Sequence, residues 1–348
     1  MAKEGVYFDN NEILGRPWQG WSKAFTWILR DQQDFPFLVQ MALDSLLLVP
    51  LGLSLFMFKI GLAWYISAIS YFVLLAYSLG PHLLMLHNIC HRSPWQNRRN
   101  GLLDFLLNFN GIFYGLPPRL YYLHHIKMHH REDNASSDLS STQSYQRDSF
   151  FHWLIYFLRF SLLGWIELPL YFLKNKKWNF ALQTFLSYLS FFAILSAAIW
   201  INSKAAFVVF IFPTALCWFG LMAGNWAQHA FIDPNDPTNN YKNSITVVAS
   251  LYNYRCFNDG YHIGHHLNAG RHWTDMPRDF FANKNYYFEN KSVVFKKIDY
   301  QMIWVHLMFK NYKKLAQYLV DLDEHPQSTE AKINFIRERL NPIGAQKT

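Results

Sequence analysis

The chain is poor in cysteine and in charge. Its 348 residues hold only Cys90, Cys217 and Cys256, widely spaced. That pattern excludes a disulfide framework, a CxxC zinc site and an iron–sulfur cluster built by this chain alone. Charged residues make up 16% of the sequence, against roughly a quarter in an average soluble domain. No low-complexity linker or internal repeat is present, so a disordered or fibrous chain is excluded. There is no GxGxxG fingerprint and no HPGG haem segment, so any electrons the chain uses come from elsewhere. The net charge of +8 does not form a nucleic-acid stripe. The basic residues sit beside apolar runs, which points to a membrane face.

Hydrophobic residues make up 51% and aromatics 18%. They segregate into long blocks separated by polar, histidine-rich blocks. Crossing a bilayer takes about 20 helical residues, and four runs reach that length: Phe37–Phe58, Gly61–Leu86, Phe180–Ile201 and Ala205–Gly224. Lys59 punctuates the first pair, and Asn202-Ser203-Lys204 joins the second. Each pair therefore predicts a helical hairpin. With both turns outside, Lys59 and Lys204 are the only basic residues there, and every other Lys and Arg falls on the cytoplasmic side, as positive-inside orientation demands. The N-terminal stretch has no charged-then-apolar leader, so both ends are expected in the cytoplasm. Trp18, Trp21 and Trp27 suit the interface before the first span.

Fifteen histidines carry the main signal. They group as His82, His87 and His91; His124, His125, His129 and His130; Asn225 with His229; and His262, His265 and His266, followed by His272. Residues four apart share a helix face, so His87/His91, His125/His129 and His262/His266 can each converge on one ion. His130, turned about 100° from His129, can reach a second. This many imidazoles suits two ions, and imidazole favours Fe, Zn, Cu or Ni over Mg or Ca. The isolated His152, His306 and His325 read as structural or solvated. If the groups meet on one side of the bilayer, an even number of crossings must separate them. Phe150–Leu173, which carries His152, Arg159, Glu167 and Pro169, and Leu102–Leu116, broken by Asn108, Asn110 and Gly111, are therefore expected to be interfacial or buried rather than spanning. Val293–Leu322 reads as an amphipathic helical region that caps the cytoplasmic domain or lies on headgroups.

At these residues the chain resembles the membrane fatty acid desaturase and hydroxylase superfamily. HNICHRSPW (His87–Trp95), HHIKMHHREDN (His124–Asn134) and NDGYHIGHHLNAGRHW (Asn258–Trp273) resemble the family's three histidine boxes in order, and NWAQH (Asn225–His229) its additional ligand segment. The resemblance covers about residues 35–280. It implies an all-α membrane protein with four transmembrane helices as two hairpins, interfacial helices, and a cytoplasmic helical cap carrying a histidine-rich di-metal site. The expected segments are a cytoplasmic N-terminal stretch (1–36), membrane stem and catalytic cap (37–282) and a C-terminal amphipathic region (283–348).

The resemblance further implies two non-haem iron ions held by His87, His91, His125, His129, His130, His229, His262, His265 and His266, with Asn225 meeting iron through water. His82 in place of His91, and His124 in place of His125, stand as alternative ligands. No catalytic residue beyond the ligands is expected. Asp104, Glu132, Asp133, Asp138, Asp233 and Asp259 lie near the ligand groups and are candidates to orient them. The implied activity is O2-dependent oxidation of a fatty acyl chain, first of all desaturation. Hydroxylation of an alkyl or fatty acid chain, or decarboxylation of a fatty acid to a terminal alkene, is the alternative on the same site; a metal transporter or sensor is the more distant one. The electron donor would be a separate protein of ferredoxin, rubredoxin or cytochrome b5 type, attracted to a basic cytoplasmic face.

Overall fold

The computed structural model describes residues 19–96, 101–322 and 326–344. Trp18 and His325 lie outside the described residues, as does the side chain of Trp21; Trp27 is largely exposed. The described chain divides into two compact units. One is a membrane stem, made of the stretch up to Lys127 together with Leu163–Phe219; the other comprises Met128–Leu162 and the stretch from Gly220 onward.

In the stem, the first apolar run is helical over Gln32–Met57. It loosens into a π turn at Asp44–Leu48, directly before Pro50, whose ring and missing N–H disturb the preceding turn. The next helix, Leu62–His91, has 30 residues, which at 1.5 Å per residue is about 45 Å, against about 30 Å of hydrocarbon. The surplus carries His87 and His91 past the apolar stretch. Its outward face, with Leu62, Ile66, Ile69 and Val73, is exposed, as lipid-facing residues are. Gly101–Ile112 has only 12 residues and is too short to cross.

Helix runs from Trp178 to Gln228, 51 residues, broken at Asn202. Asn202 leaves helical geometry (φ −158°, ψ 97°), and its Oδ1 accepts from the Ala205 amide at 3.1 Å, an N-cap for the returning helix. The chain reverses there. Ser187 donates to the Pro118 carbonyl at 2.6 Å. Gly115, only three residues before Pro118, lies so close to Thr214 that a Cβ would fall 2.2 Å from the Thr214 Cα. In an unbroken helix Ser187 and Thr214 would stand about 40 Å apart. The φ of +81° at Gly115 is one that a side chain resists, so both conformation and space require glycine. Leu48, Leu55, Tyr71, Leu75, Phe113, Phe191 and Val209 form the stem core.

Phe150–Lys174, expected at the interface, is a single 25-residue helix long and apolar enough to cross a membrane. Its interior charges, Arg159 and Glu167, are diluted by Phe, Leu and Trp, and Lys174 stands at its end. Four helical stretches in all meet that standard among the described residues.

The second unit is not wholly α-helical. Val293–Lys296 (β2) pairs in parallel with Ile245–Val248 (β1). The expected amphipathic helix over Val293–Leu322 is therefore replaced by β2 and two short helices, Tyr300–Met308 and Tyr312–Tyr318. Val293, Val294 and Phe295 are all buried, and β-branched and aromatic side chains buried on both faces favour a strand. Arg147 ties the unit together. Fully buried, its guanidinium donates to the carbonyls of Ala230 (2.8 Å), Gln143 (3.1 Å), Arg339 (3.0 Å) and Asn341 (2.6 Å).

Candidate metal centre

The stem contributes three convergent imidazoles. His87 and His91, one turn apart near the end of their helix, bring their rings to 5.2 Å. His125 follows the helix Leu120–His124, and its ring lies 4.5 Å from that of His87. The Nε2 atoms of His125 and His91 are 3.1 Å apart. Tyr121 lies against both His125 (5.2 Å) and His87 (6.4 Å).

The second unit contributes six. Nε2 of His265 is 2.9 Å from Nε2 of His130, and Nε2 of His262 is 3.0 Å from that of His266 and 3.4 Å from that of His229. The facing nitrogens of His129, His229 and His266 all lie within 4.8 Å of one another. The local fold makes this possible. His125–His129 is a π turn, and Asp133 and Asn134 adopt positive φ of 48° and 59°, which Asp and Asn tolerate best among residues with side chains. That sharp reversal returns Asp138 to His129, and Asp133 meets His266. The short helix His262–Leu267 puts its three histidines on one side. Just before it, Gly260 is fastened on both sides: its amide donates to Asn253 Oδ1 at 2.9 Å, and its carbonyl accepts from the Val247 amide at 2.7 Å. A Cβ there would sit 2.1 Å from Asn253 Oδ1 and 2.7 Å from the Val247 carbonyl.

Three rings are oriented from behind. His129 Nδ1 donates to Asp138 Oδ2 at 2.7 Å and His229 Nδ1 to the Asn243 carbonyl at 3.0 Å, while His266 Nδ1 pairs with Asp133 Oδ1 at 2.8 Å. These bonds place the ring proton on Nδ1 and leave a lone pair on Nε2. Three ring nitrogens then face one another across a few ångströms, an arrangement that suits a cation. Nitrogens 2.9–3.4 Å apart are also the separation of two ligands each about 2.1 Å from one ion at roughly right or tetrahedral angles. The electrostatics differ from ring to ring. Burial opposes charge on His129, but the Asp138 carboxylate outweighs it and raises the pKa. Burial likewise opposes the Asp138 charge, yet His129 and the Ser140 hydroxyl and amide hold it below the usual carboxylate range. Burial, then the neighbouring His266 and His129, push His229 down to about 3, so its ring is neutral, as a ligand must be.

The remaining candidates fall elsewhere. His82 is fully buried in the stem, its Nδ1 2.8 Å from Asp44 Oδ2 and its ring stacked on Tyr114 at 4.1 Å. Neither His82 nor His124 joins a convergent group among the described residues. Both amide protons of Asn225 are engaged, by the Ser140 carbonyl (3.1 Å) and the Tyr156 hydroxyl (2.7 Å), so only its Oδ1 can act toward a water. His152 Nδ1 accepts from the Gln146 amide at 2.8 Å, His272 caps a short turn through Thr274, and His306 stacks on Tyr318.

Of the six acidic residues near the histidines, Asp133 and Asp138 each reach one. Glu132 bonds Ser137, Asp233 pairs with Arg339, Asp259 accepts from Tyr252, and Asp104 is exposed. Sequence reasoning missed the orienting carbonyl of Asn243 and the bracing role of Asn253. The Asn-Asp-Gly at 258–260 was the available signal for the tight approach before the third box.

No curated protein and no solved structure matches the chain. Residues 62–290 match the family described as Fatty acid desaturase. That span is well over half of the chain and takes in every convergent histidine, and the chain belongs to the fatty acid desaturase family.

Proposed function

We propose that the chain is an O2-dependent di-iron desaturase of fatty acyl chains, with His87, His91, His125, His129, His130, His229, His262, His265 and His266 as iron ligands. The observation that supports this reading best is the set of Nε2 lone pairs turned toward one another by Asp138, Asp133 and the Asn243 carbonyl. An all-nitrogen donor set suits iron among the imidazole-preferring metals and disfavours magnesium or calcium.

When bound, the iron pair supplies the oxidising power that removes hydrogen from an unactivated alkyl chain, which no side chain can do. The protein's own part is orientation and charge. Asp138 and Asp133 hold two rings in the ligating tautomer and add negative charge that neutral imidazoles lack. Tyr121 packs against His87 and His125 and shields that side from water. Both chain ends and the histidines are placed on the cytoplasmic side, where an external ferredoxin, rubredoxin or cytochrome b5 type protein delivers electrons to a basic surface.

The experiment is to feed a defined saturated fatty acid to cells with and without the gene and analyse the lipids. An internal double bond supports desaturation. An alcohol, or an alkene one carbon shorter, would reassign the reaction to hydroxylation or decarboxylation. No O2-dependent product from an iron-loaded, reductant-supplied preparation that retains zinc alone would overturn the reading in favour of metal transport or sensing.

A further inference from the structure

The helix Tyr300–Met308 is apolar on two opposite faces. Tyr300, Ile303 and Leu307 are buried in the second unit. Met302 and Val305, with Phe309 just past the helix end, are 44%, 40% and 81% exposed. Both sets follow the i, i+3, i+7 spacing of one helix face, and they point nearly opposite ways. An exposed surface face of a helix is normally polar.

Two neighbours pack against the other side of this helix. Tyr252 packs its ring on Tyr300 at 5.4 Å, and on the same short helix as Tyr252 stand Leu251 and Tyr254, 74% and 53% exposed. Trp304 meets Trp153 edge to face at 4.6 Å. Trp153 belongs to Phe150–Lys174, the helix long enough to cross a bilayer, whose first turn exposes Phe150 and Phe151. Through its inward side Tyr300–Met308 thus packs on the start of a helix long and apolar enough to cross a bilayer, which leaves Met302, Val305 and Phe309 facing outward. Directly after Phe309 come Lys310, Lys313 and Lys314. Large apolar side chains bordered by lysines are the composition of a helix lying in the headgroup layer of an anionic membrane.

We propose that Met302, Val305 and Phe309 form a membrane-interface anchor, seated in the headgroup and upper acyl region of an anionic bilayer and flanked by Lys310, Lys313 and Lys314. The inference is independent of the reaction the histidines perform. It gives the region after the third histidine group a mechanical role, holding the second unit against the lipid from which acyl substrate comes.

The test uses the full-length chain in nanodiscs of mixed phosphatidylcholine and phosphatidylserine. Met302→Cys, Phe309→Cys and, as a control on the helix Thr329–Glu338, Glu330→Cys are labelled with an environment-sensitive fluorophore. The unmodified chain sets the background from its three cysteines. Spin-labelled lipids carrying the quencher near the headgroup should quench the probe at 302 and 309 about threefold more than at 330, with blue-shifted emission at those two sites. Equal, water-like emission at all three sites would overturn the proposal. So would a blue shift at 302 and 309 that lipid spin labels do not quench and that grows with protein concentration, because the occupant would then be another protein. All three positions are exposed, so correctly incorporated protein is available for each.

Discussion

Asp138→Asn is the sharpest perturbation of the histidine cluster. Asp138 is buried, and its two oxygens divide their work. Oδ1 accepts from the amide and hydroxyl of Ser140, both at 2.7 Å. Oδ2 accepts from the Asn134 amide at 3.0 Å and from His129 Nδ1 at 2.7 Å. Asparagine at this position can keep its oxygen toward Ser140 only by turning its NH2 toward two donors. His129 then relieves the conflict by moving its proton from Nδ1 to Nε2, the nitrogen that should carry the lone pair. The substitution changes almost no volume, yet it blocks one ligand and removes a buried negative charge. Loss of such an orienting partner weakens metal affinity by about 10- to 100-fold, or about 1.4–2.7 kcal/mol. The assay is iron retained after equilibration against a graded series of chelator concentrations, read by mass spectrometry, beside Asp233→Asn. Asp233 pairs with Arg339 and touches none of the clustered histidines in the hydrogen bonds described. If Asp138→Asn retained iron as firmly as the unaltered protein while Asp233→Asn behaved normally, the assignment of His129 Nε2 as a ligand atom would fail.

Asp133→Asn should act in the same direction but more weakly, because the Asp133 side chain is 34% exposed and water can replace it behind His266; the same chelator series measures the difference. His91→Gln should remove iron, whereas His82→Gln should leave iron content intact and lower the thermal midpoint, since it strips a buried partner from Asp44, a loss of about 3–5 kcal/mol for a fully buried pair. Iron loss from His82→Gln at full folding would restore His82 as a ligand. Gly260→Ala should displace the third box, because its Cβ meets both Asn253 and the Val247 carbonyl. Overpacking of that kind costs about 1–3 kcal/mol, which for a chain of this size lowers the melting temperature by roughly 2–12 °C; a thermal melt of the purified protein in detergent checks it.

Much of this molecule is written along the chain. Helix length, apolar runs and HxxxH spacing depend on residues a few positions apart, so the long apolar helices, the turn at Asn202 and the three histidine groups could all be read directly. The family resemblance rested on the same short-range patterns. Phe150–Lys174 has the length and hydropathy of a span, and only the parity of crossings argues that it lies along the membrane instead. The β1–β2 pair was missed because parallel pairing joins residues 48 apart, and a four-residue apolar run does not say whether its partner is a helix face or another strand.

What only the tertiary structure decided is which polar groups stand behind the histidines. Six acidic residues lie near the ligand groups in sequence, but a hydrogen bond forms only where the backbone returns within about 3 Å. The left-handed turn at Asp133 and Asn134 does that for Asp138 behind His129, and Asp133 meets His266 as an ion pair. The same holds for His82. Its spacing from His87 made it an alternative ligand, and the fold sets its Nδ1 on a carboxylate 38 residues earlier in the chain. Spacing fixes which side chains share a helix face; the packing of distant segments fixes what each of them meets.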